Sequence, residues 1–362
     1  MNIIINQNKL RSAINSVERV VSKNISLPIL NTILLKTEGG RVRLTATNLE
    51  VGIHVTLGAK IEAEGSIAVP ARVFSEFVGN IQDEKITLNT EGNVLLVNSE
   101  HYQTKILSMG AEDFPLIPTL HNAIEFKIDA LIIKQAIGSV LDATSLLETR
   151  PELTGVFVSV GNNSVIFAAT DSFRLSEFIA PISTSIEKSF IIPRTTALEI
   201  LRLASEHAGE MTIAIAENQI AARGDDFELV SRLIDGRYPE YRKIIPEKYI
   251  EEITIEKQEL ERGVRMASIF SSSISDLLMK ISKEQLALTA KNSDRGEINA
   301  QLLCSGAKSA FDVSVNYRYL LDGLKVTPGN KIILGYTGPG SPLVLMSAEQ
   351  KNQVYVIMPL RT

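Results

Sequence analysis

The sequence predicts an α+β protein in which one small domain occurs three times, and three observations carry that reading. First, LTATN at 44–48, FAATD at 167–171 and LTAKN at 288–292 recur in order, placing Ala46, Ala169 and Ala290 123 and then 121 residues apart. Second, Val69-Pro70-Ala71-Arg72, Ile192-Pro193-Arg194-Thr195 and Val315-Asn316-Tyr317-Arg318 follow 123 residues apart, and Val78, Leu201 and Leu324 keep that step. Third, IIINQNKL, FKIDALII and ITIEKQEL put Leu10, Ile133 and Leu260 in equivalent places near the start of each unit. An interval near 121 is too long for a solenoid repeat and suits a whole small domain. The expected domains are 1–121, 124–246 and 249–362, with linkers at His121–Ala123 and Pro246–Tyr249.

Within the first unit the elements alternate in type. A short strand over Ile3–Ile5 leads into a segment with Leu10, Ala13, Ile14, Val17 and Val21 at helical spacing. Strands follow at ILLKT, RVRLTAT and VGIHVTL. Pro70 is expected to open a second helix, because a first turn has no use for the missing N–H; its apolar stripe reads Val73, Phe74, Phe77, Val78 and Ile81. KITLNT and NVLLVNS read as strands joined at Glu91-Gly92-Asn93, a hairpin signal. Each unit is thus expected to hold two helices and several short antiparallel strands.

Composition narrows the function. Of 362 residues 44% are apolar, enough for sizeable cores, and 37 basic against 42 acidic residues give a net charge of −5. That excludes a uniformly cationic nucleic-acid coat but allows a basic patch on an acidic body. One cysteine, Cys304, excludes a disulfide framework and a Cys-cluster metal site, and four scattered histidines leave no metal centre to expect. MNIIINQNKLRSAINS has no signal-peptide pattern and no apolar run approaches a membrane span, so a cytoplasmic location is expected.

Catalytic signatures are missing too: no G-x-S-x-G, P-loop, H-E-x-x-H or paired-cysteine motif occurs, so neither enzyme activity nor a cofactor is expected. Gly-Tyr-Thr-Gly-Pro-Gly at 335–340 lies between apolar strands with no helix after it, and reads as a hairpin turn. Asp171 in ATDSFR has Asn48 and Asn292 as counterparts, which favours a turn role, since Asx side chains bond their own backbone.

With one face of each helix buried, the opposite faces carry Lys9, Arg11, Asn15 and Arg19, then Lys134 and Gln135, then Arg262 and Arg265 on the first helices. The second helices carry Arg72, Arg194 and Arg202, and Arg318 and Lys325. Acidic Glu18, Glu76, Glu199, Glu261 and Asp322 interrupt the pattern. For any one helix a solvated face is the plainer reading. Recurrence across repeats, with Arg72, Thr195 and Arg318 in one position, favours a shared surface that would hold a phosphate backbone without reading sequence.

At LPIL (27–30), TRPELTG (149–155), ATDSFRL (169–175), DGRYPEYRKIIP (235–246) and the C-terminal VIMPLRT the chain resembles the bacterial DNA polymerase III beta subunit family, over its whole length. The resemblance implies a head-to-tail homodimer in which six domains close a ring around double-stranded DNA, tethering the polymerase without catalysis. It implies as partners the DNA polymerase III alpha subunit, the clamp loader, other DNA polymerases and repair proteins. These would enter one cleft formed by Leu153, Thr170, Ser172, Phe173, Arg174, Leu175, Pro239, Lys243, Ile244, Pro342, Val356, Met358, Pro359, Leu360 and Arg361. Leu175, Ile244, Val356 and Met358 would form its apolar trough, with Arg174 and Arg361 flanking; Phe173 stands where the family often carries His. Lys9, Arg11, Lys23, Arg72, Lys134, Arg194, Arg202, Arg262, Arg265 and Arg318 would face DNA, and Ile269 and Phe270 would lie in the dimer interface.

The competing reading is a repetitive protein- or carbohydrate-binding scaffold without a DNA role. A sugar-binding version would expose aromatics in each unit, yet the chain has no Trp and 6% aromatic residues.

Overall fold

The computed structural model describes residues 1–21 and 26–360. The first repeat runs β1 (Asn2–Asn6), α1 (Gln7–Glu18), β2 (Thr32–Glu38), β3 (Arg41–Thr47), β4 (Val51–Leu57), β5 (Lys60–Ala63), β6 (Ser66–Pro70), α2 (Ala71–Asn80), β7 (Lys85–Glu91), β8 (Val94–Asn98) and β9 (Gln103–Leu107). The second runs β10 (Ile124–Asp129), α3 (Ala130–Val140), β11 (Gly155–Gly161), β12 (Ser164–Thr170), β13 (Arg174–Pro181), β14 (Lys188–Pro193), α4 (Arg194–Glu206), β15 (Glu210–Ile215), β16 (Gln219–Arg223) and β17 (Phe227–Arg232). The third runs β18 (Glu251–Glu256), α5 (Lys257–Ser268), β19 (Asp276–Ile281), β20 (Gln285–Asn292), β21 (Gly296–Leu303), β22 (Phe311–Asn316), α6 (Tyr317–Val326), β23 (Lys331–Tyr336), β24 (Leu343–Ser347) and β25 (Gln353–Ile357).

Apart from the extra strand β5, each repeat is a strand–helix–three-strand module used twice. The second helices begin at Ala71, Arg194 and Tyr317, so the 123-residue step seen in the sequence is a step in helix starts. Leu10, Ile133 and Leu260 are all buried, as are the three recurring alanines. LPIL and RPEL, one interval apart, each make a 3-10 turn beginning at Pro28 and Pro151, and bury Leu30 and Leu153.

Contacts divide the chain into two compact units, Met1–Ala130 with Arg202–Leu233 and Leu131–Leu201 with Ile234–Thr362. In the first unit an eight-stranded sheet has the order β10-β15-β16-β17-β4-β3-β2-β6, and a five-stranded one β5-β1-β7-β8-β9. In the second unit the orders are β14-β11-β12-β13-β25-β24-β23-β18 and β21-β20-β19-β22. Each large sheet joins strands of consecutive repeats at one antiparallel seam. Phe227 pairs with Val55 where β17 meets β4, and Leu175 with Val356 where β13 meets β25.

Helix α1 buries Leu10, Ala13, Ile14 and Val17, and Asn6 caps it by accepting from the Lys9 amide at 3.2 Å. Each of the large aliphatics contributes about 1.5–3 kcal/mol by leaving water. Two expectations shift. The α1 helix ends before Val21, while Val20 is buried instead. Val73, expected in the apolar stripe of α2, is 53% exposed; Ala71, Phe74 and Val78 do the packing, because Pro70 ends β6 as the cap residue and the helical face counts from Ala71. The 335–340 segment joins β23 to β24 as a hairpin, with Gly338 and Gly340 at positive φ. None of the helices among the described residues is long and apolar enough to cross a membrane.

Candidate functional site: the β13–β25 seam

The ATDSFRL segment is a tight turn built by its own side chains. Asp171 Oδ1 accepts from the amides of Phe173 and Arg174, both at 2.9 Å. Thr170 Oγ1 accepts from the Ser172 amide at 3.1 Å and donates to the Arg174 carbonyl at 2.6 Å. Ser172 sits at φ +77°, as does its counterpart Leu49 at +76°, and Asn48 accepts from the amides of Glu50 and Val51 in the same way. In the third repeat Asn292 accepts from the Asp294 amide. Asp171 thus plays the turn role its counterparts indicated.

The turn holds Phe173 out, 60% exposed, and its carbonyl accepts from the Met358 amide at 2.8 Å, tying the C-terminal segment to β13. Leu360 is tied similarly, its amide donating to the Ser314 carbonyl at 2.8 Å. Beneath lies one buried cluster of Leu153, Ala168, Leu175, Ile191, Tyr238, Tyr241, Val344 and Val356. Leu175 and Val356, expected to form the apolar trough, are both members of this cluster. Both face the close-packed side of the seam, 2% and 1% exposed. Ile244 is 45% exposed, and Pro239, Pro342, Met358, Pro359 and Leu360 are half-buried. Lys243 is exposed and pairs with Glu240. Arg361 and Lys23 lie outside the described residues.

Arg174 does not flank the site as a free cation. Its Nε donates to Asp171 Oδ2 at 3.0 Å, its Nη1 to Asp322 of α6, and its guanidinium lies 4.6 Å over the Tyr319 ring. Although burial works against its charge, the Tyr355 phenol and the Asp171 and Asp322 carboxylates hold its pKa above the ordinary arginine value. The sequence pointed to none of these partners as functional.

The DGRYPEYRKIIP segment is fastened by its aromatics. Tyr238 stacks on Phe157 with centroids 4.8 Å apart, and its hydroxyl accepts from the Thr170 amide at 3.1 Å. Buried Glu177 accepts from the Tyr241 hydroxyl at 2.6 Å and from Arg242 Nε at 2.9 Å. Burial and that carboxylate push the Tyr241 phenol up. The pair of tyrosines around Pro239 was the available sequence signal for this docking.

The basic helix positions divide. Lys9, Arg11, Arg72, Lys134, Arg262, Arg265 and Arg318 are exposed. Arg72 pairs with Glu76, Arg262 with Glu259 and Arg265 with Glu261 on their own helices. Arg202 and Arg194 depart from the expected solvent-facing pattern. The Arg202 side chain is 11% exposed and donates to the Ser16 carbonyl at 2.6 Å, and Arg194 reaches inward to the Leu141 carbonyl, Thr144 and Asp142. Both guanidinium heads are thus taken by acceptors. Ile269 caps α5 and is 51% exposed, while half-buried Phe270 packs on the third-repeat core. The one constellation of potential metal ligands among the described residues is Asp83, Glu100 and His101, whose atoms lie within 4.8 Å of one another. There His101 Nδ1 already bonds Asp83 Oδ1 at 2.6 Å, an ion pair rather than an open ligand set.

Three consecutive family profiles of the DNA polymerase III beta subunit match the chain: the N-terminal domain over residues 1–118, the central domain over 127–240 and the C-terminal domain over 242–361. The beta sliding clamp of Chlamydia muridarum is 27% identical over 365 residues, covering 100% of this chain and 99% of that protein. That of Synechocystis sp. is 27% identical over 394 residues, covering 100% and 99%. A crystal structure of a Pseudomonas aeruginosa sliding clamp bound to griselimycin superposes with a TM-score of 0.96 at 25% identity, over 100% of both chains. One of the C. crescentus beta sliding clamp, with polyethylene glycol bound, gives 0.92 at 25%, again over 100% of both.

Three repeats of this module, matched from end to end, define a sliding clamp, a replication protein that is not itself an enzyme. The chain belongs to the DNA polymerase III beta subunit family. The carbohydrate-binding alternative finds no support in these similarities.

Proposed function

We propose that two copies of this chain close head to tail into a six-domain ring around double-stranded DNA, dividing each chain at 1–121, 124–246 and 249–362. The observation that carries it is a missing seam. In each seam present, the last strand of one repeat (β17, β25) pairs with the fourth strand of the repeat before it (β4, β13). Continuing that rule leaves two strands without a partner: β9, the last of the first repeat, and β21, matching β4 and β13 in the third. Both are sheet edges and both end in an exposed leucine, Leu107 at 78% and Leu303 at 80%. An unpaired edge offers its free N–H and C=O groups to another strand, and a second copy would supply each edge with its complement. A side chain added at Gly296, the start of β21, would meet the Phe270 ring at 3.8 Å, so Phe270 lies near that edge.

The ring would hold duplex DNA by many sequence-independent phosphate contacts from Lys9, Arg11, Arg72, Lys134, Arg262, Arg265 and Arg318. Partners would dock at the β13–β25 seam through a short peptide with leucine or phenylalanine side chains. They would be the DNA polymerase III alpha subunit, the clamp loader, and other polymerases and repair proteins. Phe173, Ile244, Met358 and Leu360 offer the apolar contacts; Met in particular adapts to several ligands. A role in replication would put the protein in the cytoplasm. The test is topological: protein loaded on nicked circular DNA should co-elute with it and be lost when the circle is cut. Retention on both forms would overturn encirclement.

A further inference from the structure

We propose that Asp322 is a positioning residue for partner docking: from α6 it holds Arg174, and through Arg174 the turn that carries Phe173 against the segment that carries Met358. The inference rests on the docking seam proposed above. That seam is assembled from two repeats, Phe173 and Ile244 coming from the second and Met358 and Leu360 from the third. Arg174 ties them together at their edge. It opens β13 directly after the turn and pairs with Ile357, the last residue of β25. Its side chain is 13% exposed, and its Nε donates to the same Asp171 carboxylate that holds the Phe173 amide. Nη1 donates to Asp322, and the guanidinium faces the Tyr319 ring, also on α6. Gripped on two edges, the planar guanidinium is fixed in place; gripped on one, it can swing about its stem.

The first unit shows that the turn itself does not require this bridge. One 123-residue step back, Arg174 and Asp322 become Val51 and Glu199, so β4 offers no cation at that place. Asn48 still bonds the amides of Glu50 and Val51, as Asp171 bonds those of Phe173 and Arg174. What differs is the end of the seam. The Met358 amide lies 2.8 Å from the Phe173 carbonyl, whereas the counterpart bond, from the Arg232 amide to the Glu50 carbonyl, measures 3.4 Å. The bridge and the shorter closing bond thus occur together, in the unit where docking is proposed. A second bond from α6, Lys325 to Asp142 at 3.0 Å, also joins the two repeats but involves neither the turn nor Met358, and it supplies the control.

Fluorescence anisotropy with a labelled leucine-rich peptide should show binding at least fivefold weaker in Asp322→Ala and within twofold of native in Asp142→Ala, which loosens α6 elsewhere. Arg174→Met should lose at least as much as Asp322→Ala. Adding Asp322→Ala to it should cost less than a further twofold, because the aspartate acts through the arginine. Amide hydrogen exchange at Met358 needs no peptide: it should be at least tenfold faster in Asp322→Ala and unchanged in Asp142→Ala. Native affinity in Asp322→Ala, losses that multiply in the double variant, or unchanged Met358 exchange would each overturn the assignment. A native chain that binds no such peptide would overturn the docking reading itself, and Met358 exchange would then decide alone whether Asp322 holds the turn.

Discussion

At the scale of single residues, side-chain acceptors set the shape of the partner seam more than charge does. Asp171 satisfies two amides of the turn and one edge of Arg174, so Asp171→Ala should cost about 1–3 kcal/mol of stability. It should also release Phe173 and weaken partner-peptide binding several-fold; denaturant unfolding and fluorescence anisotropy would measure the two effects, and an unaltered affinity would separate the turn from the site. A second residue-scale test is a titration. The Asp83 carboxyl, accepting from the Ser99 hydroxyl and from His101, is held down at about 2, and the His101 imidazole is raised above its ordinary value by that carboxylate. Stability from the depressed Asp83 is present above its ordinary value of 3.8 and is lost as pH falls toward about 2. That from the raised His101 is present below 6.5 and is lost as pH climbs through the folded value. The pair therefore stabilises most between roughly pH 4 and 6.5. NMR of the His101 ring should give a pKa above 6.5 in the native protein, and a lower one in Asp83→Asn.

At the scale of elements, the C-terminal segment is fixed by two backbone bonds, from the amides of Met358 and Leu360, just beyond the end of β25. Deleting residues 358–362 leaves β25 and its whole ladder to β13 intact. The truncated chain should still dimerise, with a melting temperature close to that of the full chain, but lose at least tenfold in affinity for a leucine-rich partner peptide in anisotropy. Affinity within twofold of the full chain would move the binding site elsewhere. The same elements show what the sequence could tell. Repeat spacing located the second helix of each repeat, at Ala71, Arg194 and Tyr317, because apolar periodicity is local and recurs with the repeat. The burial of Leu175 and Val356 could not be recognised, since it depends on which strands of different repeats share a seam, a contact between residues 181 positions apart. The inward turn of Arg202 was hidden for the same reason: its acceptor, the Ser16 carbonyl, lies 186 residues away. Charge pattern alone reports helix faces, and cannot show which cations have already found acceptors.

At the scale of the whole molecule, the strand rule that builds the two seams also specifies how copies associate, and this is the prediction with most at stake. An edge strand gives affinity through its backbone groups and specificity through alternate side chains. On β21, residues alternate between half-buried and exposed, with Ile298, Ala300 and Leu302 packing on the third-repeat core and Leu303 left outside at the strand end. Replacing Ala300 by Pro would place a ring in the strand interior. That should interrupt the edge while retaining most of the core, because β20 pairs along the other side of the strand. The double change Ile269→Ala and Phe270→Ala attacks the apolar contact beside that edge instead, at roughly 2–5 kcal/mol for each side chain that the partner fully buries. Both variants should run as monomers by light scattering at concentrations where the native protein is a dimer, with circular dichroism unchanged. Monomers should no longer remain on circular DNA, whereas exchanging Arg72 for Ala should only flatten the salt dependence of retention by about one unit per lost phosphate contact. Dimers persisting in both interface variants would mean that β9 and β21 stay open edges and that the ring closes by some other surface.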